Sequence, residues 1–234
     1  MTTRGHILLE GGAEFSGAMS EPDRSAMALA GGPDARISII PAAAAPDNNH
    51  ARAGENGVRW FQKLGSTHVT ALPLIDRASA ENPAVVTALR QSKLIYLLGG
   101  FPRYLHKTLS GTSSWQAIRG AHGNGSVIAG SSAGAMVLCA YYYHPKTEKI
   151  IKGLDLVPGA CVIPHHDAFG QNWVPELSRQ LPDITLIGID EQTGILNNSP
   201  GKAWQVYGKG GVTLYRGKRT PEYHDPDGMF QLIS

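Results

Sequence analysis

Short apolar runs alternate with helical stretches along the first 130 residues of the chain. Five runs are rich in Ile, Leu and Val, and lie at 6–10, 36–41, 68–74, 94–100 and 126–130. This composition is typical of buried strands. Stretches with apolar residues at helical spacing lie between them, at 22–30, 51–64, 83–92 and 114–121. Because strand and helix alternate, the pattern predicts a mostly parallel sheet with helices on both faces.

The same pattern continues beyond residue 143 and then changes. Apolar runs at 160–165 and 184–190 flank a helical stretch at 173–181. From residue 193 onward the runs TGILN, AWQVYG and GVTLYRG are short and separated by turn residues, which predicts antiparallel hairpins at one edge of the sheet. Since no linker or repeat interrupts the chain, we predict a single catalytic domain over residues 1–234.

The composition supports a folded chain. Glycine is enriched, with 28 of 234 residues, whereas charged residues make up 17% and apolar residues 42%. No G-x-y period is present and the prolines are scattered, so a collagen-like or low-complexity chain is excluded. The glycines are therefore expected to serve turns and close contacts of a folded backbone.

Charge, cysteine content and apolar runs narrow the class of partner. The two cysteines, Cys139 and Cys161, cannot form a disulfide framework, and the N-terminal apolar run is too short for a signal peptide. The apolar run at 135–143 is about half the length of a membrane span. The net charge is +2, and the one compact basic cluster, at Arg216, Lys218 and Arg219, is too small for a nucleic-acid face. We expect a cytoplasmic protein that acts on a small molecule, without membrane or nucleic-acid partners.

The segment SVIAGSSAGAMVLCA carries the clearest chemical signal. An apolar strand runs into Gly130-Ser131-Ser132-Ala133-Gly134 and then into an apolar helix, which is G-x-S-x-G at a strand-to-helix turn. Such a turn exposes the central hydroxyl and places backbone N–H groups beside it. Ser132 is therefore a candidate nucleophile, although small residues can also serve only to close such a turn.

A serine nucleophile needs a base and an acid that orients this base. His165 and His166 follow an extended apolar run, and because adjacent strand residues point to opposite faces, at most one of them can face the site. No cysteine or third histidine accompanies them, so no metal site is predicted. Between Ser132 and His165 the acids are Glu148 and Asp155, and the residues alone do not choose between them.

Four segments together resemble the dipeptidase E and cyanophycinase family of serine peptidases. They are GSSAGA at 130–135, GLDLVPGACVIPHH at 153–166, GIDEQTG at 188–194 and YLLGGFPRYLHKTL at 96–109. The resemblance implies a flavodoxin-like three-layer α/β sandwich related to class I glutamine amidotransferases, with serine in place of their cysteine nucleophile. It also implies hydrolysis of short peptides without a cofactor, by a dipeptidase or broader exopeptidase that can pair as a homodimer.

The resemblance assigns catalytic roles. Ser132 matches the family's nucleophile and His165 its histidine, and the family's acid falls on Glu148, since Asp155 lies within the G-L-x-L-x-P-G stretch. The oxyanion hole would use the N–H of Ala133 and a second N–H from the glycine-rich strand end.

Gly100 or Phe101 is expected to supply this second N–H. The Phe101-Pro102 pair departs from the family's usual sequence at that strand end. Relatives favour aspartyl residues on the acyl side of the cleaved bond, for which Arg179 and Arg103 are the candidate substrate-binding cations. The expected substrate is a short peptide with an acidic N-terminal residue.

Three alternatives remain open from the sequence. One is a cyanophycinase-like hydrolase of β-aspartyl peptides. Another is an α/β-hydrolase-type esterase that uses Asp190 and His224, although no HGGG-like oxyanion segment is present. The last is a member of the family that binds peptides without cleaving them.

Overall fold

The computed structural model describes residues 5–197, 203–217 and 219–232. Lys218 of the basic cluster lies outside the described residues. The strands are β1 (Ile7–Glu10), β2 (Ile37–Ile40), β3 (Val69–Ala71), β4 (Leu94–Leu97), β5 (Val127–Ser131), β6 (Tyr141–His144), β7 (Lys149–Lys152), β8 (Ala160–Ile163), β9 (Thr185–Ile189), β10 (Thr193–Asn197), β11 (Ala203–Gly208), β12 (Val212–Arg216), β13 (Glu222–His224) and β14 (Met229–Gln231). The helices are α1 (Ser20–Leu29), α2 (His50–Lys63), α3 (Pro83–Gln91), α4 (Pro102–Leu109), α5 (Ser113–Gly123), α6 (Ala133–Leu138) and α7 (Val174–Gln180).

The central sheet has eight strands in the order β14-β11-β10-β1-β5-β4-β2-β3. The strands β1 to β5 run parallel, as the alternating pattern predicts. The strands β10, β11 and β14 extend the sheet beyond β1 in antiparallel pairs. The predicted mostly parallel sheet with C-terminal antiparallel strands is confirmed.

Apolar side chains cover both faces of this sheet. In β4, Ile95 and Leu97 belong to one buried apolar cluster, whereas Leu94 and Tyr96 belong to a second cluster on the opposite face. This alternation is what a strand buried on both sides produces, because successive side chains point in opposite directions. The predicted three-layer arrangement of helices, sheet and helices is therefore confirmed.

The structure separates two predicted strands from the central sheet. Strands β8 and β9 form a second sheet with β12 and β13, in the order β13-β12-β9-β8. The C-terminal tail is thus divided, since β10 and β11 join the central sheet while β12 pairs with β9. Local apolar patterns predict that a segment is a strand, but the choice of partner depends on contacts distant in the chain.

Two elements near the serine turn, the β6–β7 hairpin and helix α4, were not predicted, whereas the apolar helix after the turn was. The run at 135–143 is a short helix followed by the first strand of an antiparallel hairpin, β6–β7. Helix α4 follows the glycine-rich strand end and begins at Pro102, a position where the missing N–H of proline costs no helical hydrogen bond. Both elements border the cleft described below.

One buried cluster contains side chains of both sheets, among them Leu97 and Ile128 from the central sheet and Val162 and Ile187 from the second. The two sheets therefore share an apolar core, while the single domain over residues 1–234 stays a prediction. Within the described residues, no helix has both the length and the apolar character needed to cross a membrane.

Candidate active site

Ser132 lies on a strained turn between β5 and α6. Its backbone has φ 46° and ψ −107°, outside the regions that non-glycine residues commonly adopt. Its N–H donates to the carbonyl oxygen of Glu10 at 3.0 Å, which ties the turn to β1. A Cβ at Gly130 would lie 2.6 Å from the backbone of Gly134, and one at Gly134 would lie 2.2 Å from the Leu97 oxygen. The two glycines therefore allow the turn to close and expose the Ser132 hydroxyl.

His165 lies beside this hydroxyl, as the sequence predicts. Its Nε2 is 3.0 Å from Ser132 Oγ. The backbone of His165 has φ 48°, and its N–H donates to the Gly11 oxygen at 2.8 Å. The neighbouring Gly12 has φ 141°, and a Cβ there would lie 2.3 Å from Cε1 of the imidazole. Glycine at position 12 thus makes room for the ring.

Glu191 holds the other side of the imidazole. Its Oε1 is 2.8 Å from His165 Nδ1. Glu191 lies in the turn between β9 and β10, where its own N–H donates to Asp167 Oδ1 at 2.9 Å. A proton on Nδ1 that is donated to Glu191 leaves the Nε2 lone pair free to accept the Ser132 proton. The arrangement Ser132–His165–Glu191 is the hydrogen-bonded geometry of a serine hydrolase triad.

Glu148, the acid expected from the resemblance, lies elsewhere. It is exposed at the tip of the β6–β7 hairpin, where its φ of 50° ends a short turn. The structure therefore corrects the expected triad, since Glu191 contacts His165 and Glu148 does not. The expectation placed the acid between serine and histidine along the chain, and neither of the acids there reaches the imidazole. Asp155 lies in a turn, with φ 55° and its N–H donated to the Cys139 oxygen.

Two backbone N–H groups next to Ser132 can stabilise an oxyanion. The N–H of Ala133 opens helix α6 and so has no acceptor within the helix. At the end of β4 the N–H of Gly100 has no acceptor within residues 5–197 or the other described segments. The N–H of Phe101 is already donated to the Ala43 oxygen at 2.9 Å. Of the two expected alternatives for the second donor, the structure therefore leaves Gly100.

Glycine is required at position 100 by its surroundings. Its φ is 133°, and a Cβ there would lie 2.4 Å from the Ala43 oxygen. The preceding N–H, of Gly99, donates to Glu14 Oε1 at 3.2 Å. These contacts fix the strand end opposite the Ser132 turn.

Residues 7–200 match the family model of peptidase family S51. The chain belongs to peptidase family S51. It is therefore a serine-type peptidase, and the predicted kinship with dipeptidase E and cyanophycinases is confirmed.

Curated relatives of this S51 peptidase are cyanophycinases. One from Nostoc sp. is 30% identical over 224 residues, which cover 91% of this chain and 74% of the relative. Another, from Synechococcus elongatus, is 28% identical over 224 residues, covering 90% of this chain and 68% of the relative.

Two solved structures share the fold. A peptidase from an acI-B1 actinobacterium is 28% identical and superposes with a TM-score of 0.87, covering 99% of this chain and 98% of that one. A putative peptidase E protein from Listeria monocytogenes superposes with a TM-score of 0.61 at 18% identity, covering 91% and 98% of the two chains, which shows the fold alone.

A cleft of about 410 Å³ opens in front of Ser132 in this S51 peptidase. Its walls come from the strand end and α4, from the tip of the β6–β7 hairpin, from α6 and from the segment after β8. The lining residues are mostly apolar: Gly100, Phe101, Pro102, Ser132, Met136, His144, Pro145, Lys146, Pro164, His165, Phe169 and Trp173. The volume falls within the usual range of small-ligand sites.

Neither arginine expected to bind substrate lines this cleft. Arg179 forms an ion pair with Glu176 on α7, at 2.5 Å, and its side chain is 69% exposed. Hydrogen bonds of this pair raise the pKa of Arg179 and lower that of Glu176. Arg103 is exposed on α4. The pKa of His144 is lowered chiefly by burial of its ring, and the positive charge of Arg103 lowers it further.

Among the described residues that line the cleft, Lys146 is the one Lys or Arg, and the sequence did not single it out. Its Nζ lies 5.9 Å from the centroid of the Phe101 ring. Lys146 lies two residues before Glu148 in the charged stretch 146–149. No local signal showed that the hairpin brings this stretch to the cleft that Ser132 also lines.

Glu10, whose carbonyl oxygen accepts the Ser132 N–H, forms a pair of buried acids with Asp23. Glu10 and Asp23 are both fully buried; the Tyr96 hydroxyl donates to Glu10, and Trp60 Nε1 donates to Asp23 Oδ2 at 2.7 Å. Burial is the largest cause that raises the pKa of Glu10 well above its usual value and that of Asp23 to about 7. Among the described residues, neither Glu10 Oε1 nor Asp23 Oδ1 has a hydrogen-bond partner, and the nearby charge of Asp23 adds to the rise in the pKa of Glu10.

The second histidine of the pair has partners of its own. His166 Nδ1 lies 3.2 Å from Asp190 Oδ1 and its Nε2 lies 2.8 Å from the Tyr215 hydroxyl. His224 packs against the Phe230 ring at 5.0 Å. The esterase alternative needed Asp190 and His224 beside the nucleophile, and the structure does not bring them there. Among the described residues, no cluster of three or more His, Cys, Asp or Glu side chains could hold a metal ion.

Proposed function

We propose that this peptidase hydrolyses short peptides through an acyl-enzyme on Ser132, with His165 as the proton carrier and Glu191 as the group that orients it. The observation that carries the proposal is the unbroken pair of contacts from Ser132 Oγ to His165 Nε2, 3.0 Å, and from His165 Nδ1 to Glu191, 2.8 Å. Family membership supplies the reaction class.

The residues account for each proton of the reaction. Ser132 Oγ gives its proton to His165 Nε2 and bonds to the peptide carbonyl carbon, whose oxygen becomes an oxyanion between the N–H groups of Ala133 and Gly100. The carbon–nitrogen bond then breaks, and the leaving nitrogen takes the proton from His165. A water molecule gives His165 a proton as it attacks the ester carbonyl, and Ser132 Oγ recovers this proton when the acid product leaves.

The surroundings of the cleft favour a short substrate with an acidic acyl residue. The hairpin tip and α4 both border the cleft in front of Ser132. Lys146 lies over Phe101, next to the strand end that presents Gly100, and so on the side where the carbonyl oxygen of the substrate would sit. A carboxylate on the acyl residue could pair with its ammonium group there. The role first expected of Arg179 or Arg103 is thus transferred to Lys146.

A peptide library read by mass spectrometry tests the proposal. The wild-type enzyme is expected to cleave short peptides, and Ser132→Ala is expected to cleave none while keeping its thermal unfolding midpoint. Equal cleavage by both proteins would contradict the role of Ser132. A wild-type enzyme that binds peptides tightly and cleaves none would support the non-catalytic alternative instead.

The curated cyanophycinase relatives favour one second candidate function, hydrolysis of β-aspartyl peptides. The same library distinguishes it when it contains matched α- and β-linked aspartyl peptides. A rate at least tenfold higher on the β-linked members would support this second candidate.

A further inference from the structure

A row of aromatic rings extends from the catalytic histidine along one wall of the cleft. The Phe169 ring stacks on the His165 imidazole, with centroids 5.0 Å apart and planes 23° apart. Trp173 follows at 5.6 Å from Phe169, and Tyr143 lies 5.3 Å from Trp173. We call Phe169 and Trp173, which both line the cleft, the aromatic wall.

Phe169 is unusually exposed for a side chain of its size. It keeps 46% of its surface accessible, whereas most large apolar side chains of the described chain are buried. An exposed apolar side chain at the edge of a cleft is stabilised when a ligand covers it. Its position against His165 suggests that this ligand is part of the substrate.

The mechanism places the aromatic wall on the leaving-group side. His165 Nε2 must come within hydrogen-bond reach of the leaving nitrogen in order to protonate it. The oxyanion donors Gly100 and Ala133 mark the other side, where the carbonyl oxygen sits. A side chain on the leaving residue starts one carbon beyond the leaving nitrogen, so a ring stacked on His165 is within its reach.

The chemistry of the cleft favours an apolar side chain there. Beside the aromatic wall the lining includes Met136 and Pro164, and none of the described lining residues carries a carboxylate. A basic side chain on the leaving residue would find no carboxylate among these lining residues to pair with. An apolar ring or branched chain would bury its own surface and that of Phe169, and an aromatic ring could also stack with it.

We propose that the aromatic wall is the subsite for an apolar side chain, aromatic or branched aliphatic, on the residue that leaves with the amine. This inference rests on the proposed peptidase function and adds a substrate class to it. The preferred substrate class is therefore a short peptide whose leaving residue is Phe or Leu.

The test compares kcat/KM on peptides that share one acyl residue and differ only in the leaving residue. The wild-type enzyme is expected to prefer Phe and Leu over Ala by at least about tenfold, the lower end of the discrimination that hydrophobic pockets give. Phe169→Ala is expected to reduce this ratio to less than about threefold, and Phe169→Leu to retain most of the preference for Leu. Because Phe169 touches His165, each variant is judged by its own ratio between substrates and not by its absolute rate.

Tyr223→Ala is the matched control. Tyr223 is an aromatic side chain that is 58% exposed on β13 and does not line the cleft, so its removal should leave the ratio unchanged. Equal wild-type rates on all leaving residues, or an unchanged ratio in Phe169→Ala, would overturn the inference while leaving the proposed peptidase function intact. No cleavage of any peptide would overturn the proposed function and this inference together.

Discussion

Replacing Glu191 by Gln should reduce catalysis without unfolding the protein. The amide keeps an oxygen that can accept the His165 Nδ1 proton, but it removes the negative charge that stabilises the imidazolium formed during the reaction. With Nδ1 and Oε1 2.8 Å apart, the charge centres of the two groups are about 4 Å apart. At that distance the Coulomb energy is about 1 kcal/mol in water and about 4 kcal/mol near a protein surface.

The exposure of the pair places the effect between these limits. The side chain of Glu191 is 43% exposed and that of His165 is 20% exposed, so solvent screens part of the charge. Since about 1.4 kcal/mol corresponds to a tenfold change in rate, we expect kcat/KM to fall by an amount between roughly 5-fold and 900-fold.

Glu148→Gln is the matched control, because it makes the same chemical change at the exposed hairpin tip. Its kcat/KM should stay within about threefold of wild type, as surface substitutions usually have small effects. The assay is kcat/KM on the best library peptide, with thermal unfolding to show that both variants fold. A larger loss in Glu148→Gln than in Glu191→Gln would refute the assignment of Glu191.

Two further predictions concern the acid pair and the cleft cation. Burial raises the pKa of Asp23 from 3.8 to about 7. Between those pH values Asp23 is ionised in the unfolded chain and protonated in the folded chain. The free energy of unfolding therefore falls as pH rises through this range. Asp23→Asn removes this titration. The free energy of unfolding of the variant minus that of wild type, measured by urea unfolding, should therefore rise by up to about 4 kcal/mol between pH 4 and 7. Parallel pH profiles of the two proteins would contradict the raised pKa of Asp23. Lys146→Met should lower the ratio of kcat/KM on Asp-x peptides to kcat/KM on Ala-x peptides by about tenfold. Arg179→Met is the control and should keep the wild-type ratio. A lower ratio in Arg179→Met but not in Lys146→Met would refute the role of Lys146.

The sequence predicts those parts of the fold and site that depend on neighbours along the chain. The Ser132 turn is such a part, because its strand, glycines and helix lie within one segment of 126–140. The histidine was reached through the resemblance, and the structure places His165 against Ser132 Oγ as expected.

Glu191 could not be inferred in the same way. It meets His165 across 26 residues, because β8 and β9 pair in parallel and bring the two strand ends together. The sequence indicates both strands but not their pairing. It does contain one signal, since Glu191 lies in the GIDEQTG segment that already carries the family resemblance.

Phe101 shows a second limit. Whether its N–H or that of Gly100 faces the substrate depends on the Ala43 oxygen, which accepts the Phe101 N–H from a segment almost 60 residues earlier. Neither glycine enrichment nor the proline at position 102 indicates that contact. Backbone groups of an oxyanion hole are chosen by tertiary hydrogen bonds, which a sequence pattern does not specify.

The most direct test of the account is to locate the covalent bond that the enzyme forms during turnover. Wild-type protein treated with a fluorophosphonate, digested and analysed by mass spectrometry should carry one adduct, on Ser132, and peptide substrate should protect it from labelling. Ser132→Ala should remain unlabelled. An adduct on Ser131 or any other residue, or labelling of the Ser132→Ala variant to the wild-type extent, would contradict Ser132 as the nucleophile.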